Sequence, residues 1–134
     1  MNIVITVTDN SAEVLAALEN ACQRALEAIG MRASGYAKDL SPADTGLLQG
    51  SMDYLVDGDT VNVGTNTEYA IYQEIGTGIH ASEGGGRQGG WYYPKADGSF
   101  GFTLGSEAHH MVRNSMADHT DEYMTLIVES LTNA

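Results

Sequence analysis

Basic residues are scarce in this chain: six lysines and arginines stand against 18 aspartates and glutamates, a formal net charge of −12. A surface that grips phosphate needs clustered cations, whereas Arg24, Arg32, Lys38, Arg87, Lys95 and Arg113 are scattered along the sequence and outnumbered. Tight nucleic-acid binding by the chain alone is therefore not expected. Cysteine is scarcer still. Cys22 has no second thiol with which to form an internal disulfide, and it falls on the apolar face of a helical pattern, where it is expected to pack as a small hydrophobe. No apolar run approaches the ~20 residues that span a membrane. Met1-Asn2-Ile3-Val4-Ile5 lacks the basic flank and cleavage site of a signal peptide, so the protein is expected to stay in the cytosol where it is made.

The 134 residues fit one domain, and a hydrophobic content of 43% can supply a core. Ile3 to Val7 is β-branched and reads as a strand. Asn10, with Glu13 three residues on, marks a helix start. Behind it Leu15, Leu18, Cys22, Ala25, Ile29, Ala33, Tyr36 and Leu40 recur at steps of three and four, the stripe of an amphipathic helix. A helix from Ser11 to Asp39 would be about 43 Å long, so it must kink or protrude. Gly30 and Gly35 are the expected bend, with the part beyond them lying against a neighbour. Pro42 stops the helix by pushing Ser41 out of the α region.

Asp57-Gly58 signals a hairpin turn that pairs Tyr54 with Val61 and Met52 with Val63. Glu68 to Ile75 reads as a short helix capped by Thr67. The glycine-rich run that follows has nothing to bury, so about 78–90 is expected to be a flexible loop. Trp91-Tyr92-Tyr93 and Phe100 to Leu104 bracket a turn at Ala96-Asp97-Gly98, a second hairpin rich in aromatics. From Ser106 the chain turns helical again, with Val112, Met116, His119, Tyr123 and Leu126 or Ile127 on one stripe. The expected fold is α+β: a long N-terminal helix and a C-terminal helix packed on a mostly antiparallel sheet, with 1–134 as a single domain.

No catalytic or cofactor motif emerges. His109, His110 and His119 lack the spacing that stacks ligands on one helical face. Asp53, Asp57, Asp59 and Asn62 lack the glycine and closing glutamate of a calcium loop, and Gly84-Gly85-Gly86 is not followed by the Lys-Ser or Lys-Thr of a P-loop. Glu68 and Glu74 point to opposite helical faces, and no serine sits in a nucleophile elbow. We expect no enzyme, no metal and no cofactor.

Two strings carry more information. Pro42-Ala43-Asp44-Thr45-Gly46, followed by Leu48, Ser51 and Met52, closes the long helix; Tyr69, Ala70, Tyr72, Glu74, Gly76 and Thr77 form a Tyr-Ala-x-Tyr-x-Glu-x-Gly-Thr pattern. In this order, with an aromatic hairpin and a terminal helix behind them, they resemble the gene-product-ten-like tail-component family of long-tailed double-stranded DNA phages, over about residues 11 to 130. The chain departs from the family pattern at Leu47 and Gln49, where arginine is usual, and at His110 to Asn114, of which only Arg113 matches.

The resemblance implies a neck, tail-terminator or tail-completion protein, a structural subunit of a closed ring of six copies. It implies a place in the virion at the head–tail interface or proximal tail, after assembly in the host cytoplasm. The neighbours would be head-closure, connector or tail-tube proteins, with DNA passing without tight binding and no membrane involved. Tyr69, Tyr72, Glu74, Trp91 and Arg113 are the expected interface residues, and Pro42, Asp44, Thr45, Gly46, Gly76 and Thr77 the turn motifs. Asp118, Asp121 and Glu122, with Arg113 as the one nearby base, are expected to face the channel, where like charge would let DNA slide. The other function class compatible with −12 is an acidic DNA mimic that occupies the cationic groove of a DNA-binding protein.

Overall fold

The computed structural model describes residues 1–42 and 46–134, so the expectations for Asp44 and Thr45 fall outside the described residues. Helix α1 (Ser11–Leu40) leads into a short α2 (Leu47–Ser51) and a hairpin of β1 (Asp53–Asp57) and β2 (Thr60–Gly64). Next come α3 (Ala70–Ile75), a 3₁₀ turn (Gly78–His80) and a second hairpin of β3 (Trp91–Pro94) and β4 (Phe100–Thr103). Two helices, α4 (Met111–Ala117) and α5 (Thr120–Thr132), end the described chain. The two hairpins form separate two-stranded antiparallel sheets. The architecture is the expected α+β, with the sheet divided in two.

α1 runs unbroken through Gly30 and Gly35. It protrudes at the end opposite to the one expected: burial begins at Ala21 and continues through Ala25, Ile29, Ala33 and Ala37, whereas Val14, Leu15, Leu18 and Cys22 are exposed. The reason lies in the partners. The first hairpin, α4 and α5 all pack on α1, and together they cover only its later turns. Gly30 is a packing glycine, because a Cβ there would lie 2.3 Å from the Tyr54 ring.

Helix initiation also differs, since Asn10 makes no side-chain cap and the Asp9 carboxylate accepts from the Ser11 N–H at 3.0 Å. The Ser11 side chain first, and this backbone N–H second, hold the Asp9 carboxyl below its ordinary range. The end of α1 is as expected, with Ser41 extended (ψ 140°) before Pro42. Residues 1–10 form no strand. Ile3, Val4, Ile5 and Val7 are between 79% and 86% exposed, because no sheet edge in this arrangement of the chain lies beside them.

In the first hairpin Tyr54 pairs with Val63 and Val56 with Val61, two residues out of the expected register. The turn is Gly58-Asp59, with Gly58 at φ 60°, the position at which a tight hairpin turn requires positive φ. A two-residue shift preserves the inward face, so Val61 and Val63 still meet the helices. Gln23 Nε2 donates to the Gly58 carbonyl at 2.6 Å and Tyr54 donates to Glu27 at 2.8 Å, which fastens the hairpin along α1.

The C-terminal helix expected from Ser106 starts later, at Met111, and breaks at Asp118-His119. The break lets the His119 ring stack on Tyr36, with centroids 3.5 Å apart and planes 4° from parallel. Among the described residues two small clusters form most of the core, with Ala21 and Ala25 buried besides them. Ala37, Leu48, Met52, Ala70 and Met111 form one; Ile29, Ala33 and Tyr123 form the other.

Candidate assembly interface

The second motif builds a backbone joint. The Glu74 carboxylate accepts from the Val112 and Arg113 N–H groups, each at 2.9 Å, and so satisfies two orphan donors at the start of α4. His109 and His110 donate to the Gln73 and Glu74 carbonyls. The Thr77 N–H donates to the Ser106 carbonyl, while its hydroxyl accepts from the Ser106 N–H. A Cβ on Gly78 would sit 1.9 Å from the Leu104 oxygen and one on Gly105 2.1 Å from the Thr77 oxygen. These two strands of backbone can approach so closely only because both positions lack side chains. Gly76 and Gly46 hold φ of 78° and 72°, Gly46 opening α2. The motif is thus satisfied within the chain, and its main product is the placement of the second hairpin.

That hairpin makes few contacts with the other helices and strands. Tyr92, Pro94, Phe100 and Phe102 alternate onto one face through the pairs Tyr92–Phe102 and Pro94–Phe100. Tyr92 and Phe102 touch with centroids 5.1 Å apart, yet Tyr92 and Phe100 are 75% and 70% exposed. On the other face Tyr93 lies over Gly101. Trp91 is half-buried and lines a 460 Å³ cleft with Tyr72, Ile75 and Arg87, between α3 and the glycine-rich run. The run itself folds back over the joint: Ser82 donates to Ile75, and Gly86 packs against the Gly78 carbonyl.

Tyr69 and Tyr72 are 37% and 57% exposed, so the chain's own core does not take them up. Tyr72 borders the Trp91 cleft, whereas the exposed Ile71 lines a separate cleft with Glu74, Met111 and Val112. The expected interface residues therefore divide. Tyr72 and Trp91 share one cleft, Tyr69 is exposed at the start of α3, Glu74 is occupied as a helix cap, and the Arg113 side chain is exposed next to Asn114.

The three acids expected to act together also divide. Glu122 accepts hydrogen bonds from the Arg32 guanidinium and, at 2.6 Å, from the Tyr36 hydroxyl, with His119 Nδ1 3.6 Å away. The Tyr36 bond first, and Arg32 second, hold its carboxyl below the ordinary range, while the same bond raises Tyr36. Tyr123 beneath this clamp donates to the Ser115 carbonyl, and desolvation pushes it up to about 12. Asp118 and Asp121 are exposed. Sequence reasoning missed the clamp; its traces were two separate stripes, one containing Tyr36 and the other His119 and Tyr123.

Residues 7–76 match the family model described as "Bacteriophage HK97-gp10, putative tail-component". The matched stretch covers α1, the first hairpin and α3, and ends at Gly76, short of the aromatic hairpin and of α4 and α5. No curated protein and no solved structure matches the chain significantly.

Proposed function

The chain belongs to the HK97-gp10-like family of bacteriophage tail components, and from that premise we propose that it is one structural subunit of a closed ring at the head–tail connection or the tail terminus. Six copies would enclose a channel through which DNA passes, and the subunit would act by assembly rather than by catalysis. The observation that carries this reading is how little of the apolar surface the single chain covers. Among the described residues ten hydrophobic ones are buried and five of them are alanines, while Tyr72, Tyr92, Phe100, Phe102, Val128 and Met124 stand more than half exposed. Exposed apolar area on this scale marks association surfaces. Tyr69, Tyr72 and Trp91 would anchor the contact as rigid amphipathic side chains.

Light scattering on the purified chain across a concentration range, with electron microscopy of particles made without it, tests the proposal. A ring in solution, together with full heads and separate tails in its absence, is expected. A strict monomer and complete particles would overturn it, and a one-to-one complex with a DNA-binding enzyme would establish the DNA-mimic reading instead.

A further inference from the structure

We propose that residues 3–7 are an exchanged strand that pairs with the outer edge of β4, at Phe100 and Phe102, in a second copy of this chain; the proposal deepens the ring reading and rests on it. Five consecutive residues, Ile3-Val4-Ile5-Thr6-Val7, have the composition of a strand and no strand to pair with. The β3–β4 hairpin has the opposite deficit. It is a two-stranded sheet that makes few contacts beyond its own pairing, a form that is marginal in water until a third strand or another layer is added.

Edge chemistry selects β4. Lys95 donates to the Ser99 carbonyl at 2.7 Å, so the hydrogen-bonded pairs of this antiparallel ladder fall at odd-numbered residues, and the even-numbered ones turn their N–H and C=O groups outward. On β3 the outward residues are Tyr92 and Pro94, and Pro94 has no N–H to offer. On β4 they are Phe100 and Phe102, both complete. The same edge is already in use one step further on, where the Ile79 N–H donates to the Leu104 carbonyl. An incoming strand would continue that pairing and bring apolar side chains to the aromatic face.

The arm of the same chain lies exposed and pairs with no strand, so the occupant is assigned to another copy. The root of the hairpin is tied through Glu74 to α4, whose Met111 packs with Ala37, whereas the arm leaves α1 at Asn10. Those points are separated by about 40 Å of helix, and the seven residues from Ile3 to Asn10 reach at most ~25 Å. Charge permits the approach. Residues 77–105 contain two acids, Glu83 and Asp97, and two bases, Arg87 and Lys95, so the whole formal charge of −12 resides elsewhere in the chain. The arm before Asp9 has no charged side chain.

Residue-resolved hydrogen exchange on the full chain, dilute and at assembling concentration, tests the pairing. The Phe100 and Phe102 amides and alternate amides of residues 3–7 should gain protection together on assembly. Val4→Pro and Ile5→Pro between them cover both parities of a strand. One of the two should weaken self-association about tenfold through a lost backbone hydrogen bond, with the melting of the dilute chain unchanged because the arm is exposed. An oligomer whose arm and Phe100 and Phe102 amides exchange as fast as in the dilute chain overturns the strand exchange and leaves the ring. Unaltered association of both variants does the same, and a chain monomeric at every concentration overturns both readings.

Discussion

Gly30 and Gly35 lie five residues apart in one helix and should respond in opposite directions to the same substitution. A methyl at Gly35 meets nothing within 4 Å, so Gly35→Ala gains helix propensity and should stabilise the chain by up to ~1 kcal/mol. At Gly30 the methyl meets the Tyr54 ring, which Glu27 holds in place, so Gly30→Ala should destabilise by about 1–3 kcal/mol despite the better propensity. Urea unfolding of the two variants checks the sign of each. Glu74 is a second residue whose role is visible only from its partners: Glu74→Ala leaves the Val112 and Arg113 N–H groups without their acceptor and should cost about 1–2 kcal/mol. Glu74→Gln should recover part of the loss, with thermal melting as the readout.

Elements meet at the Glu122 clamp, where α1 supplies Arg32 and Tyr36 and α5 answers with a carboxylate. Because the folded carboxyl titrates below its unfolded value of 4.5, the clamp is fully stabilising above that pH. Its contribution is lost as pH falls through the lower folded value, since the folded state must then give up a favoured anion. Glu122→Gln should therefore flatten the acid limb of a stability-against-pH curve. Tyr123 has the opposite sign: folding favours its protonated form, so its contribution is complete below 10 and is lost as pH rises through about 12. Tyr123→Phe should remove that part of the alkaline limb. On α3, Tyr69→Ala and Tyr72→Ala should weaken assembly while changing the melting of the dissociated chain by under ~1 kcal/mol, because both rings are substantially exposed there. Equal loss in both states would place these rings in the fold of the single chain.

For the whole molecule, the acidic surface is the property with the longest reach. Asp118 and Asp121 flank the turn between α4 and α5 and are exposed, whereas Glu122 is engaged with Arg32 and Tyr36. Reversing all three acids would break the clamp as well as alter the surface field, so the informative variant is Asp118→Lys with Asp121→Lys. If this surface faces the proposed channel, rings should still assemble and DNA ejection should slow in low salt, where screening is weakest. Unaltered ejection kinetics with intact rings would place both acids on an outer face.

Periodicity and turn chemistry determined the long first helix, its stop at Pro42, both hairpins and the α+β class, because each rests on interactions within a few residues. The ordered motifs around Pro42 and Tyr69 likewise carried the family relation, since such strings are local. Tertiary structure decided what needs a partner distant in sequence. Ile3 to Val7 has the composition of a strand, but a strand exists only against an edge, and this chain places none beside it. Cys22 and Leu15 continue the apolar stripe of α1, yet the packed elements cover only the later turns of the helix. The hairpin register slipped by two because either alignment buries the same face, and the Gly58 carbonyl bonded to Gln23 settles the turn one residue later. In sequence Glu74 reads as an interface residue and Glu122 as a channel-facing acid. Their partners stand 38 to 39 and 86 to 90 residues away, a distance that no local pattern spans.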